Sequence, residues 1–400
     1  MIKVAILGFG VVGGGVAELL TNNSREVASL GGGDVEIKYI LDLRDFPDSP
    51  FSDKVIHDYN IILEDDEVDV VIEVMGGSHP AYEYTISALR HGKHVITSNK
   101  EVVSRFGDEF LLEAEKAGVC YRFEAAVGGG IPVISPMISF VCHNKIKEVR
   151  GILNGTTNYI LTKMFKYGES FDSALKDAQD RGYAERNPDA DILGIDASRK
   201  IAILTSLVSG KLVPTDSIHT EGITSIRKED VKAAEKMGMS IKLLGRYISC
   251  DEGMQIMVAP FMIGGNLPLS GVSDVYNAVE VVGDPIGSIM FYGPGAGAGA
   301  TASAVVGDLM LIMQSGRNCA IPTMKKTTES LLDFSDFEAK QYIALSGTTK
   351  SEIEKAFGRV EYIEADGEIA FITEKIKESK AISLIDHLSC DLKARIRIVE

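Results

Sequence analysis

The sequence predicts an α/β protein: a doubly wound parallel sheet, then an α+β domain, then a small βαββαβ unit. Three observations predict it. Strand and helix signals alternate through the first third, the pattern of parallel strands joined by helical crossovers. The alternation stops after Gly128-Gly129-Gly130-Ile131-Pro132, where longer helices and mixed-sheet strands begin. From residue 340 onward the order is strand, helix, strand, strand, helix, strand. At 400 residues the chain is long enough for two or three such domains.

Taken in order, Val4 to Leu7 is an apolar strand that runs through glycines into the helix-like VAELL. Val35 to Leu41 is a second strand, and Val68 to Val74 a buried one. Tyr82 to His91 has helical spacing, His94 to Thr97 is a strand, Asp108 to Ala117 a helix and Val119 to Glu124 strand-like. In the next domain Lys147 to Leu153 is a strand ended by Asn154-Gly155. Asn158 to Tyr167, Phe171 to Asp180 and Ile195 to Ser209 are helices. Gln255 to Phe261 and Ala278 to Val282 are strands. A loop from Gly293 to Gly299 leads into the apolar helix Thr301 to Met313, expected to pack back on the first domain. In the last unit Gln341 to Leu345, Val360 to Glu364, Glu368 to Thr373 and Ala394 to Val399 are strands. Lys350 to Ala356 and Ser379 to Leu388 are helices, and Asp366-Gly367 is a hairpin turn signal.

Charged residues make up 24% of the chain and hydrophobic ones 45%, which excludes disorder and a small disulfide scaffold. A formal net charge of −16 repels nucleic acid and anionic membranes. The cysteines (Cys120, Cys142, Cys250, Cys319 and Cys390) form no C-x-x-C pair, so reduced thiols are expected rather than zinc or a disulfide frame. The N-terminus MIKVAILGFGVVGGG is neither a signal peptide nor a membrane span. A cytoplasmic protein is the expectation. The histidines show no ligand spacing.

Gly8-Phe9-Gly10-Val11-Val12-Gly13 is G-x-G-x-x-G, directly after a strand and opening a helix. Gly8 permits the tight turn, Gly10 the approach of a pyrophosphate, and Gly13 close helix–strand packing. The helix N-terminus supplies N–H groups and positive potential for phosphate. This places a dinucleotide-binding (Rossmann) domain at 1–130, completed by a returning helix at 301–320. The second domain occupies 131–300 and the third 340–400. At the end of the second strand an acidic residue suits the ribose hydroxyl of NAD, and an arginine the 2′-phosphate of NADP. Leu41-Asp42-Leu43-Arg44 offers both, with Asp42 and Arg44 on one side. NADP is read as the cofactor, with NAD as the alternative.

Thr97-Ser98-Asn99-Lys100 ends a strand at the sheet edge where ligands of such folds bind. A second cluster runs from Gly182 to Lys200. Its loop carries Tyr183, Glu185 and Asp191, and its helix carries Asp196 and Lys200 at i and i+4, on one face. The apolar continuation IAILTSLV places Lys200 at a buried boundary, where a free ammonium is costly. A second cation, Lys100, would depress its pKa, and Asp196 would orient it for proton exchange with a hydroxyl.

TSNK, E-x-x-V-G-G-G-I-P, N-G-T-T-N-Y-I, G-Y-x-E-x-N-P-x-x-D-x-x-G-x-D-x-x-x-K and Y-G-P-G-A-G, in this order, resemble homoserine dehydrogenase over about residues 1 to 320. The resemblance implies a substrate-binding and dimerisation domain at 131–300. It also implies reversible NAD(P)H-dependent reduction of L-aspartate 4-semialdehyde to L-homoserine, serving threonine, methionine and isoleucine synthesis. By it, Lys200 is the proton donor and acceptor, Lys100 the second active-site lysine and Asp196 the residue holding Lys200. Glu185 binds the substrate amino group, with Asp191, Gly155, Thr156 and Tyr183 in the pocket. Gly8, Gly10, Val12, Gly13, Arg44, Ser98, Lys100 and Gly297 contact the cofactor. Glu124, Val127, Gly129 and Ile131 match a monovalent-cation site, largely of backbone carbonyls, which suit sodium. The tail resembles an ACT domain, with Ser346-Gly347-Thr348-Thr349-Lys350 replacing the usual D-x-P-G-V-L stretch. A homodimer or homotetramer without nucleic-acid or membrane partners is implied, and a fused aspartokinase is not expected. Competing readings remain. An aspartate-semialdehyde dehydrogenase would need a nucleophilic cysteine, and Cys120 reads as buried filler. A sugar-directed Rossmann oxidoreductase would place its lysine differently. A nucleotide-sensing regulator would leave Lys100, Lys200 and Glu185 unexplained.

Overall fold

The structure, a computed structural model, describes residues 1–316, 324–326, 331–364 and 367–399. It divides into two compact units: Met1–Asn144 with Ala202–Thr215 and Gly293–Thr328, and Lys145–Ile201 with Asp216–Tyr292 and Glu329–Glu400.

The first unit is built on six parallel strands in the order Val55–Ile56, Val35–Leu41, Ile2–Leu7, Val70–Glu73, His94–Thr97 and Tyr121–Arg122. Val4 to Leu7 and Val70 to Ile72 are wholly buried without alternation, as expected of parallel strands covered on both faces. Helices Val11–Asn22 and Ala298–Ser315 cover one face, where Val16, Leu20, Val305 and Leu309 join Val4, Ile6 and Ile72 in one core. They meet closely because Gly15 has no side chain: a Cβ there would lie 3.3 Å from Ala298 O. The strand registers pair Leu41 with Leu7, Leu7 with Glu73, and Glu73 with Thr97. The carboxyl ends therefore form one row, and strand order reverses beside Leu7, the switch point where nucleotides bind.

Two of the boundaries that differ from the sequence reading lie in this unit. The helix expected from Asp108 begins at Lys100, because the Asn99 side chain caps it by accepting from the Glu101 and Val102 N–H groups. The strand expected at Val119 to Glu124 shrinks to Tyr121–Arg122, since Glu124 opens a 3₁₀ turn. Cys142, Cys250 and Cys390 are free thiols, but Cys120, buried, is disulfide-bonded, so the fully reduced set fails at that position. Cys319, the end of the expected helix 301–320 and Asp366 lie outside the described residues. Among the described residues, no helix is long and apolar enough to cross a membrane.

The second unit carries a mixed sheet in the order Gly287–Pro294, Tyr276–Asp284, Lys145–Ile152, Met239–Cys250, Gly253–Gly264, Asp391–Val399, Gln341–Ser346, Ile369–Ile372 and Glu361–Ile363, with His219–Thr220 also against Gly253–Gly264. Its longest pairing, Met239–Cys250 against Gly253–Gly264, was only half foreseen. Gly245 interrupts the apolar signal of the first of these strands. It is there because a Cβ would lie 2.8 Å from Leu153 and 2.9 Å from Ile201. The terminal βαββαβ order is present, with helices Lys350–Phe357 and Glu378–His387 and one extra two-residue strand, Ile376–Lys377. Thr349 and Glu352 form a capping box at the first of those helices.

Arg150 and Glu280 sit opposite each other on adjacent strands and are both buried, with Nε to Oε2 at 2.8 Å. Arg150→Ala leaves Glu280 without that partner. The variant is expected to lose about 3–5 kcal/mol of stability, read from urea unfolding. A loss below about 1 kcal/mol, the range of an exposed pair, would contradict this.

Candidate active site

Gly8 adopts a left-handed φ of +96°, which turns the chain from strand into helix. At Gly13 a Cβ would lie 2.0 Å from Gly8 O, so only glycine lets the turn close. Gly10 caps the helix with no side chain and has open space where a Cβ would stand. Val12 sits in the first helical turn. The result is a cradle of backbone N–H groups that fits a pyrophosphate. Asp42 follows the row residue Leu41. Its carboxylate accepts from Phe9 N at 2.8 Å and from the Arg44 guanidinium at 3.0 Å. The bond from Arg44 holds Asp42 well below the ordinary carboxylate range. Arg44 itself is exposed and lies over the Phe46 ring. Gly297, with φ +117°, caps helix Ala298–Ser315.

Ser98 and Lys100 leave the other end of the row, and Glu73 fixes them there. Its Oε2 accepts from Thr97 Oγ1 at 2.6 Å and its Oε1 from Met75 N at 2.8 Å, while its carbonyl accepts from Ser98 N at 3.2 Å. Asn99 adds a bond from its Nδ2 to Gly77 O at 2.7 Å. Sequence reading missed Glu73. An acidic residue inside the apolar run VDVVIEV was the available signal, since a buried carboxyl demands partners.

In the second unit Lys200 and Asp196 share a helix face, and the ammonium bonds Asp196 Oδ2 at 2.7 Å and Leu153 O at 2.8 Å. The Lys200 side chain is 11% exposed. Those bonds use two of its three N–H donors, leaving one for a substrate oxygen. Asn154 joins the carboxylates: its Nδ2 donates to Asp191 Oδ1 at 2.7 Å and to Asp196 Oδ2 at 2.9 Å. Its Oδ1 accepts from Thr157 N at 2.9 Å, capping helix Gly155–Tyr167. Gly155 is required where it is, since a Cβ would lie 2.6 Å from Val275 O. Thr156 Oγ1 donates to Tyr183 O at 2.6 Å. The Tyr183 ring stacks edgewise on Tyr159, and Glu185 stands exposed on the same loop. Asp191, Asp196, Lys200, Gly155, Thr156 and Tyr183 are thus joined through short contacts, with Asn154, unassigned from sequence, at the hub.

At the cation motif Glu124 does not offer its side chain. Its carboxylate accepts from Val133, Ile134 and Ser135 N–H at 2.6 to 2.8 Å and caps helix Ile134–Val141. Gly128 and Gly129 are consecutive left-handed residues with φ +78° and +57°, between Val127 and Ile131. Among the described residues no side-chain cluster suited to a metal occurs.

An open glycine cradle at a parallel-sheet switch point, with a lysine held by a carboxylate one helical turn before it, suits an NAD(P)-dependent oxidoreductase. The comparisons give the family. Residues 8–124 match the model for the homoserine dehydrogenase NAD-binding domain, and residues 132–310 the model for homoserine dehydrogenase. The Synechocystis homoserine dehydrogenase is 41% identical over 339 residues, 82% of this chain and 78% of that one. A homoserine dehydrogenase structure from Thiobacillus denitrificans superposes with a TM-score of 0.92 at 31% identity, covering 100% of this chain and 98% of that one. A hyperthermophilic archaeal homoserine dehydrogenase mutant in complex with NADPH matches at 27% identity and TM-score 0.67, over 77% of this chain and 96% of that one. The chain belongs to the homoserine dehydrogenase family, and homoserine dehydrogenase activity is its function.

Burial raises Glu73 from 4.5 to about 7 and Asp308 from 3.8 to about 7. In each case the folded protein keeps a proton that the unfolded chain has released. The stability they contribute is full below the unfolded value and is lost as pH rises through about 7. Glu73→Gln removes one of the two groups. Its thermal midpoint is expected to change less than the parent's between about pH 5 and pH 8. An equal change would contradict the assignment.

Proposed function

We propose that Lys200 Nζ donates the proton to the substrate oxygen as L-aspartate 4-semialdehyde is reduced, and takes it back as L-homoserine is oxidised. The observation that carries this is the pair of bonds from Nζ to Asp196 and Leu153 O, which leave one N–H for a substrate oxygen. The chemistry that a bound nicotinamide contributes is hydride transfer. As oxygen gains charge, the ammonium stabilises it and then yields a proton to it. Asp196 orients the ammonium, and Asn154 keeps Asp196 in place. Glu185 and Asp191 receive the substrate ammonium, and the first turn at Gly155 and Thr156 offers backbone N–H groups to its carboxylate. Tyr183 walls the pocket, and Lys100 serves as the second lysine.

Gly8, Gly10, Val12, Gly13, Ser98 and Gly297 hold the dinucleotide, and Arg44 takes the 2′-phosphate of NADP. Its exposed guanidinium and the NADPH complex of the archaeal relative support NADP over NAD. The carbonyls of Glu124, Val127, Gly129 and Ile131 bind sodium. The left-handed glycines and the occupied Glu124 carboxylate leave backbone oxygens as the ligands. The protein works in the cytoplasm as a homodimer. The exposed strand Gly287–Pro294, whose Tyr292 stacks on Tyr276 of the neighbouring strand, supports pairing with a second copy. The terminal unit is read as ACT-like on its βαββαβ order.

Lys200→Ala is expected to lower kcat for homoserine oxidation by roughly 10²- to 10⁴-fold, with NADPH affinity by fluorescence unchanged. Near-normal turnover would refute the proton-transfer role. Arg44→Ala is expected to raise the KM for NADPH by roughly ten- to a hundredfold, the worth of a charged hydrogen bond, and that for NADH far less. Equal effects on the two cofactors would refute 2′-phosphate recognition.

A further inference from the structure

We propose that Arg397 is a positioning residue for the homoserine site. Through Glu221 it fixes the backbone on which the Asp191 loop rests, so that the terminal βαββαβ unit sets substrate affinity. The inference rests on the reading of Asp191 as a substrate contact.

Arg397 lies on strand Asp391–Val399 and is fully buried. Its guanidinium is held from two sides. Nη1 and Nη2 bond the Glu221 carboxylate at 2.8 and 2.7 Å, and Nε and Nη2 bond Glu378 at 2.8 and 3.0 Å. Glu378, also fully buried, accepts from Gln341 Nε2 and Arg395 Nη1 as well. Gln341, Glu378, Arg395 and Arg397 all belong to the terminal unit; Glu221 alone does not. Burying such a cluster gives little net stability over apolar side chains of similar size. What it specifies is position: a bidentate guanidinium–carboxylate pair fixes both distance and plane.

Glu221 transmits that position over one residue. Its N–H bonds Val258 O at 2.7 Å, tying the segment to the sheet. Gly222 lies so close to Ile192 that a Cβ would stand 2.1 Å from Ile192 O. The Ile223 N–H donates to that same carbonyl at 2.8 Å. On the other side Gly194, at φ +82°, would carry a Cβ 3.2 Å from Glu221 O. Ile192 directly follows Asp191, and Gly194 leads into the helix carrying Asp196 and Lys200. At Gly222 backbone packs directly on the backbone of Ile192 and Leu193, so a displacement at Glu221 is passed to Asp191.

The test is steady-state kinetics of the full chain with Glu221→Gln, Glu221→Asp and Asp191→Asn. Glu221 is about a third exposed, and in Glu221→Gln Arg397 keeps Glu378, so a folded protein is expected. Glu221→Gln should raise the KM for homoserine about two- to thirtyfold, the range of mutations along a coupling network. The KM for NADPH should not move, and Glu221→Asp, which retains the charge, should fall between. Combined with Asp191→Asn, the effects should multiply to less than their product. An unchanged homoserine KM in Glu221→Gln, while Asp191→Asn raises it, overturns the coupling and leaves the substrate reading standing. An unchanged KM in Asp191→Asn overturns the substrate reading and this route with it. A lower melting temperature with both KM values unmoved shows Arg397 to be merely structural and also overturns the proposal.

Discussion

Two carboxylates and an ammonium have to be kept apart in charge and together in space, and the amide of Asn154 does this for Asp191, Asp196 and Lys200. Its two N–H groups go to different carboxylates, and its oxygen caps a helix. Each use constrains the others. The cap fixes the amide plane, the plane fixes where the two carboxylates lie, and Asp196 fixes the lysine. An amide is suited to this because it donates and accepts without carrying charge. A charged residue there would alter the balance on which Lys200 depends. Leu153 O, the second acceptor for Lys200, belongs to the residue just before Asn154, so one short stretch of backbone sets the whole arrangement.

The first unit solves a related problem differently. Its row of Leu41, Leu7, Glu73 and Thr97 is set by strand register, with Glu73 as its polar member. Bonds from Thr97 and Met75 bind the ends of two strands into one edge, so the nucleotide-facing turns are spaced by the sheet rather than by loop contacts. The cost is a carboxyl group buried where its charge is unwelcome.

Much of this was legible in sequence for physical reasons. The glycine fingerprint reads clearly because Gly8 and Gly13 answer to steric demands that no other residue meets. Asp196 and Lys200 read as partners because i and i+4 share a helix face. The hidden residues are those whose role depends on distant chain. Asn154 looked like a turn residue, and its partners Asp191 and Asp196 come from a loop and a helix well beyond it. Glu124 gave no sign in sequence that its carboxylate would cap a helix nine to eleven residues later. Gly245 hid a twelve-residue strand, because a glycine chosen for close packing lowers the local strand signal.

The terminal strand also pairs in parallel with Gly253–Gly264 at Phe261, Met262 and Ile263, on the edge that His219–Thr220 shares. A terminal segment joined in this way is hard to shed in evolution. A descendant that lost it would uncover an apolar strand edge, ready to pair with another chain, and would strand the Glu221 carboxylate without its guanidinium. Shortening such an enzyme would therefore require a new edge cover and a new counter-charge to arise together. Joining a segment by its last strand acts as a ratchet, easier to enter than to leave.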